Sequence, residues 1–303
     1  MLFLALFVVL LAADLTGVER DLAARRYSSA LSGLREIPPD ARTASWHLLA
    51  SKACDGLDDV PEAVKHAEAA IRLDPASEPA YLQLAQIFLT RNTPEAAAEI
   101  LTDAAPLFPR SPLIRLGLGL ALKDLRRYDE AAAALRAALV LKPGLGTAFD
   151  ALGTVFLEAG KYPELSEAAA GYIDRNPRDY RGYYYLAAGK LKTGARVGEA
   201  EQLLNRCIGL NPGFAAGHAL LGKVLLDAGQ VAPAIQELER AIRLRPDYTP
   251  AHLSLASAYA QAGRKEDARR EAAELARLNE EQARPAPHLR YHRGTPQANP
   301  VHQ

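Results

Sequence analysis

The feature that most constrains this chain is a set of six prolines that recur at an almost constant interval. They are Pro75, Pro109, Pro143, Pro177, Pro212 and Pro246, and neighbouring members are 34, 34, 34, 35 and 34 residues apart. Because proline lacks a backbone N–H and clashes with the preceding turn, each is predicted to follow the end of a helix. Helix ends at a fixed interval indicate one structural unit repeated along the chain. The sequence therefore predicts an array of repeats rather than two ordinary domains.

The residues between the prolines repeat as well. One copy carries a bulky residue, a Leu-Gly doublet, a second bulky residue and a closing glycine, at Phe149, Leu152-Gly153, Phe156 and Gly160. This spacing places the apolar residues on one face of a helix, and the glycine is typical of a helix C-terminus. A second helix follows, with small residues two turns apart that let its partner approach closely. These pairs are Ala63 and Ala70, Ala97 and Ala104, Ala131 and Ala138, and Ala234 and Ala241.

This pattern resembles the tetratricopeptide repeat, a helix–turn–helix unit of 34 residues. The resemblance covers residues 44–280 as seven repeats, with Glu280 in place of the last proline. It implies an all-α fold, an α-solenoid in which the repeats wind into a right-handed superhelix. Residues 14–43 are predicted to be a degenerate N-terminal repeat or cap, and residues 281–303 a disordered tail. In one repeat Leu165 and Tyr172 replace the small pair, which predicts looser helix packing there.

Residues 1–13 are continuously apolar and end at Asp14. The segment is too short for a bilayer span, which takes about 20 residues, and it fits the core of a signal peptide. The expectation is an exported, periplasmic protein with no stable membrane span. The alternative is a cytoplasmic protein in which the apolar segment caps the array or follows a mis-assigned start.

Charge and cysteine content exclude several classes of function. The 36 Lys and Arg balance the 36 Asp and Glu, so the chain lacks the basic field that nucleic-acid binding requires. Cys54 and Cys207 lie more than four repeat lengths apart, too far for a disulfide in an array whose repeats touch only their neighbours. They are interpreted as buried structural thiols.

The sequence offers little evidence of a catalytic motif. The segment Gly217–Val224 nearly matches a phosphate-binding loop, but Val224 stands where a Ser or Thr would hold magnesium, and the repeat register places the segment in a helix. His218 and His252 occupy the bulky slot of successive repeats, which favours core packing over metal binding. The predictions are no enzyme activity, no catalytic residues, no metal site and no cofactor.

The resemblance implies that the first helices line a concave groove in which residues between the core positions meet a ligand. Carried over by register, this candidate peptide-binding groove contains Leu48, Lys52, Leu82, Gln86, Leu116, Leu120, Asp150, Thr154, Tyr184, Lys223, Leu253 and Ser257. The paired Lys/Asn and Arg clamp by which chaperone-binding members of the family grip a C-terminal carboxylate is absent. The apolar N-terminal half of the groove favours desolvated side chains of a peptide instead. An alternative interpretation is that these leucines pack against adjacent helices.

The leading functional hypothesis is a non-catalytic scaffold that binds a protein or peptide partner of unknown identity in this groove. The second is an accessory subunit of a bacterial envelope, pilus or secretion assembly, which some family members serve. An enzyme is disfavoured because the repeats leave no room for a catalytic domain, and an RNA-binding repeat because Leu48, Leu82 and Leu116 are not polar base readers.

Overall fold

The computed structural model describes residues 15–194 and 196–283, and these residues are almost entirely α-helical. A first helix, α1, covers residues 15–23. The others are α2 (Tyr27–Arg35), α3 (Ala44–Gly56), α4 (Val60–Leu73), α5 (Glu78–Thr90), α6 (Pro94–Leu107), α7 (Pro112–Asp124), α8 (Tyr128–Leu141), α9 (Gly146–Glu158), α10 (Tyr162–Arg175), α11 (Tyr180–Lys192), α12 (Val197–Leu210), α13 (Ala215–Asp227), α14 (Val231–Leu244), α15 (Thr249–Gln261) and α16 (Lys265–Gln282). A 3-10 turn, Pro39–Ala41, precedes α3.

The periodic prolines end helices as the sequence predicts. Pro75 lies two residues beyond the end of α4, and the other five stand at the same distance from the ends of α6, α8, α10, α12 and α14. Side-chain caps start several first helices: Thr43 Oγ1 accepts from the Trp46 amide, and Ser111 Oγ accepts from the Ile114 amide. Such caps satisfy amides that have no partner inside the helix. The all-α helix–turn–helix array is confirmed for the described residues.

The turn inside each repeat contains one residue in the left-handed region of φ. This residue is not glycine at Arg25, Asp58, Asn92 and Arg126, and it is glycine at Gly160, Gly194, Gly229 and Gly263. The positions from Asp58 onward follow the repeat interval of the prolines. The closing glycine of the sequence pattern is therefore a conformational requirement in the later repeats.

The chain divides into two compact units, whose described residues are 15–134 and 135–283. In the first unit, α3 contacts α5 and α5 contacts α7, so that neighbouring first helices lie side by side. Its core holds Leu84, Phe88 and Leu101 among the small pairs of the second helices, which are fully buried. Trp46 Nε1 donates to the carbonyl of Leu34 at 2.9 Å and ties α3 to the end of α2.

In the second unit, α9 contacts α11 and α13 contacts α15. Leu165 and Tyr172, which replace the small pair, are both buried, and the Tyr172 ring stacks on Phe149. The segment 1–13 and most of the predicted tail lie outside the described residues; α16 continues to Gln282, two residues past the repeat boundary expected from the sequence.

Candidate functional site

The predicted groove residues of the first unit follow its three neighbouring first helices. Leu48 and Lys52 lie on α3, Leu82 and Gln86 on α5, and Leu116 and Leu120 on α7. The four leucines are half-buried, and Leu82 packs against the core cluster. Lys52 and Gln86, one helical turn further along, are exposed. This face therefore combines leucines that partly support the helix packing with polar side chains that are open to solvent.

The second unit continues the register with different chemistry. Asp150 and Thr154 lie on α9, Tyr184 on α11, Lys223 on α13, and Leu253 and Ser257 on α15. Lys223, Leu253 and Ser257 are exposed. Leu253 has 57% of its surface exposed, so it is an unpartnered apolar side chain at a groove position.

Asp150 and Thr154 belong to a hydrogen-bonded network between α9 and α11. The Tyr185 hydroxyl donates to Asp150 Oδ1 at 3.0 Å and lies 3.3 Å from Thr154 Oγ1. Arg181 Nε stands 3.8 Å from Asp150 Oδ2, while its Nη1 donates to Asp179 at 3.1 Å. Burial raises the pKa of the Asp150 carboxyl, and the Tyr185 hydrogen bond and Arg181 oppose that rise. Both predicted residues therefore already have partners within the fold.

Tyr184 is also engaged within the second unit. Its ring lies 5.1 Å from that of Phe214, and its hydroxyl is hydrogen-bonded to Tyr248. Burial raises the pKa of Tyr184 well above the ordinary value, with Tyr248 as the next cause. The residue at the corresponding position of α13 is the small Ala219. The position of Tyr184 makes it a packing residue.

Sequence reasoning missed the partners of the histidines. His218 Nδ1 lies 2.7 Å from Glu237 Oε2, and its Nε2 lies 3.0 Å from the Pro212 carbonyl oxygen. His252 repeats the arrangement with Glu271 at 2.7 Å and the Pro246 carbonyl at 2.8 Å. Each ring thus joins a first helix to the following second helix and to the proline before it. Both histidines are buried, as the core interpretation predicts.

A third histidine, His47, occupies the same repeat position as His218 and His252, and its partner is another histidine. Its Nδ1 lies 3.0 Å from His66 Nδ1, and the Trp46 ring packs edge-on against both imidazoles. Burial lowers the pKa of His47, and His66 lowers it further. Burial likewise lowers the pKa of His66, against the opposing effect of Glu62.

The remaining sequence candidates have packing roles. A Cβ added to Gly222 of the near-match to a phosphate loop would lie 2.6 Å from Leu238 Cγ, and one on Gly153 would lie 2.4 Å from the Tyr185 ring. The glycines of the Leu-Gly doublets thus allow close helix contact. Cys54 and Cys207 are buried, and burial raises the pKa of the Cys207 thiol to about 12.

Within residues 15–194 and 196–283, no cluster of three or more His, Cys, Asp or Glu side chains has an arrangement that would hold a metal ion. Among the helices of the same ranges, none has both the length and the hydropathy of a membrane span.

Residues 225–286 match the tetratricopeptide repeat family, and residues 56–138 match the family of anaphase-promoting complex, cyclosome, subunit 3. No curated protein matches the sequence.

Three solved structures share the fold at low sequence identity. A tetratricopeptide repeat protein from Parabacteroides merdae superposes with a TM-score of 0.62 at 16% identity, over 78% of this chain and 93% of that one. A chain of the APC/C hetero-tetramer Cut9–Hcn1 gives 0.55 at 19% identity, over 80% of this chain but only 48% of its own length. Pseudomonas aeruginosa pilF gives 0.52 at 18% identity, over 79% and 96%. With its period, its paired helices and the family match over residues 225–286, the chain has the tetratricopeptide-repeat fold, which generally serves as a non-catalytic scaffold for protein interactions.

Proposed function

We propose that the chain is a non-catalytic scaffold that binds a peptide or protein segment on the face formed by its first helices. The observation that carries the proposal is Leu253, an apolar side chain left 57% exposed at a groove position of α15. Helix α13, which carries the exposed Lys223, contacts α15, so the two residues lie on neighbouring first helices of the same unit.

Binding on this face is supported by the free energy of desolvation. Full burial of one leucine side chain is worth about 1.5–3 kcal/mol, and a preformed helical face reduces the ordering cost of binding. Lys223, which is exposed on α13 of the same unit, supplies a polar group for the partner. Asp150, Thr154 and Tyr184 support the surface from within and are not expected to contact the partner directly.

A charge placed at Leu253 tests the proposal. The variant Leu253→Glu keeps the fold, because the replaced side chain is mostly in solvent, and it removes the apolar contact. The matched control is Leu73→Glu at the end of α4, where the leucine is 58% exposed outside the first helices. A photo-crosslinker at Ser257 captures the partner and identifies it by mass spectrometry.

The proposal requires that Leu253→Glu lowers crosslinked partner at least tenfold while Leu73→Glu leaves it unchanged, with equal helical circular dichroism for all proteins. Equal crosslinking by both variants would contradict binding at Leu253. The double variant Leu82→Glu and Leu116→Glu does not separate lost binding from a disturbed fold, because Leu82 packs against the core.

The apolar segment 1–13 favours a second candidate, an exported accessory subunit of a bacterial envelope, pilus or secretion assembly. The Cut9–Hcn1 structure is a hetero-tetramer, so an array of this fold is able to hold another chain in a fixed complex. A partner that co-elutes in fixed stoichiometry from a periplasmic extract, with N-terminal sequencing that shows residues 1–13 removed, would favour this candidate. A transient partner of an intact cytoplasmic chain would count against it.

A further inference from the structure

A cleft in the second unit lies on the side of the second helices rather than on the predicted groove. It has a volume of about 700 Å³ and separates the C-terminal half of α8 from α10. Phe149 and Leu152 of α9 form its floor, with Tyr172 beside them. Val140 stands on its wall with 81% of its surface exposed, more than any other large hydrophobic residue of the described chain. An open cleft with this apolar lining is suited to side chains of a ligand.

Charged residues divide the rim of the cleft into an acidic and a basic end. Glu164 and Glu167 lie in the first half of α10, and Arg175 is its last residue. Glu164 and Arg175 are eleven positions apart, so a helix rise of 1.5 Å per residue places them about 16 Å apart along the cleft. Arg136 stands on the opposite wall, with its guanidinium 5.3 Å from the Phe156 ring.

The helix dipole accounts for part of this arrangement, because acidic residues early in α10 and a basic residue at its end both stabilise it. It does not account for Arg136, which lies in the interior of α8, or for the exposure of Val140. Together these two residues give the wall of α8 a cationic and an apolar side chain that face the open cleft.

We propose that this cleft is a second binding site, for a short extended peptide segment of a partner protein with a basic residue at one end, an aliphatic centre and an acidic residue at the other. An extended chain advances about 3.3 Å per residue, so five to six residues span the distance between the two charged ends. The basic residue pairs with Glu164 and Glu167, the aliphatic residues contact Val140 and the floor, and the carboxylate pairs with Arg175.

The test uses the full chain and three fluorescently labelled hexapeptides with capped ends and the same four central residues, leucine, valine, proline and leucine. The first peptide carries lysine at one end and glutamate at the other, the second carries lysine at both ends, and the third carries glutamate at both ends. Fluorescence anisotropy at low salt measures the three dissociation constants. We expect the mixed-charge peptide to bind at least fivefold more tightly than either of the others.

A variant that fills the cleft locates the site. A Cβ added to Gly171, which lines the cleft, meets only Arg175 Nη2 at 3.8 Å, an ordinary van der Waals contact, so Gly171→Leu adds its side chain at an unhindered position of the cleft lining. Gly209→Leu is the matched control, since Gly209 is a helical glycine of α12 with no atom near its Cβ position. We expect at least a tenfold loss of mixed-charge peptide binding for Gly171→Leu and none for Gly209→Leu.

Charge reversal gives an independent result. The double variant Glu164→Lys and Glu167→Lys makes every charged residue of the rim basic, and it is expected to prefer the peptide with glutamate at both ends. The variant Leu253→Glu is expected to bind the mixed-charge peptide as the wild type does, which separates this site from the first-helix face. Equal affinity for the three peptides, no binding of any of them, or unchanged binding to Gly171→Leu would overturn the proposal.

Discussion

The turns of the two units adopt the same left-handed backbone conformation with different residues. In the first unit, left-handed φ is adopted by Arg25, Asp58, Asn92 and Arg126, whereas in the second unit the corresponding residue is always glycine. The left-handed region costs an ordinary L-residue roughly 1–2 kcal/mol, and it costs glycine almost nothing. The strain of the first unit therefore lies at Arg25 and Arg126, because Asp58 and Asn92 are residue types that tolerate this conformation, whereas every such turn of the second unit has glycine.

The units also differ in the residues that join the first to the second helix of a repeat. The second unit places carboxylates beside buried histidines, in His218–Glu237 and His252–Glu271. The first unit places His66 beside His47 at the same spacing of 19 residues. A repeat framework therefore fixes where a contact forms, while the residue types decide whether the histidine meets a carboxylate or a second imidazole.

Breaking a glycine turn of the second unit gives the largest expected effect. Gly229 has a φ of +73°, and no atom lies near the position of an added Cβ, so a substitution there tests the backbone alone. We expect Gly229→Val to lower the free energy of unfolding by about 2 kcal/mol, because a β-branched residue is strained at this φ. Gly229→Asn is the control and should cost less than half as much, since Asn92 adopts the same conformation in the first unit.

These energies are measured by native-state hydrogen exchange of the flanking helices, because a chain of two units need not unfold in one step. Equal destabilisation by valine and asparagine at residue 229 would mean that the turn conformation is not what limits stability there.

Removing one carboxylate of the second unit is expected to have a slightly smaller effect. Glu271→Ala leaves the buried His252 with one ring nitrogen unpartnered, which should cost about 1.5 kcal/mol. The control is Glu274→Ala, which breaks an exposed ion pair with Arg277 on the same helix and should cost less than about 0.5 kcal/mol. Native-state hydrogen exchange of α15 and α16 amides measures both values. Similar losses for the two variants would show that the His252 contact contributes no more than a surface pair.

Relaxing a strained turn of the first unit should raise its stability. Arg126 has a φ of +58°, and Arg126→Gly is expected to add about 1 kcal/mol by removing the left-handed strain. Arg127→Gly, at the next residue, is the control and should not stabilise the protein, because Arg127 pairs with Glu130 in the first turn of α8. Slower exchange of α7 amides in Arg126→Gly is the expected observation. Unchanged or faster exchange would contradict turn strain in the first unit.

The sequence predicts the repeat framework well because helix ends and close helix contacts depend on local residue types. The prolines locate six helix ends, and Gly153 and Gly222 mark sites of close approach. The hydrogen bonds of the predicted groove residues depend instead on partners that are far away in the sequence. Tyr185 reaches Asp150 across 35 residues, and Tyr184 bonds to Tyr248 two repeats away, pairings that no period specifies.

His47 was missed for a different reason. The proline interval would place a proline at residue 41, ahead of this repeat, but Ala41 stands there. The position of the first bulky residue was therefore aligned only among the later repeats. Counting back from Tyr81 by one repeat length leads to His47 and would have found it. Its partner His66 follows from the 19-residue spacing only once His218 and Glu237 are known to touch.

The smallest expected effect is a change in the pH dependence of stability when His66 is replaced by glutamate, the residue that the second unit has at this position. The pKa values of His47 and His66 are lowered from 6.5 by burial, so the folded state binds fewer protons than the unfolded state just below that pH. Their contribution to stability is present above about pH 6.5 and is lost as the pH falls toward the folded-state pKa values. Exchange of α3 and α4 amides, corrected for intrinsic rates, should therefore indicate lower protection at pH 5.5 than at pH 7.5.

The variant His66→Glu should reverse this dependence. A carboxylate beside His47 favours the charged imidazole and raises its pKa, so the added stability is present below pH 6.5 and is lost as the pH rises through the new folded-state value. Arg42 and Arg72 also face His47 and lower its pKa, which keeps the reversal small. The control is His66→Gln, which removes the second imidazole without adding charge and should weaken the pH dependence without inverting it. If His66→Glu and His66→Gln respond alike, the residue beside the histidine does not set the charge preference of the repeat.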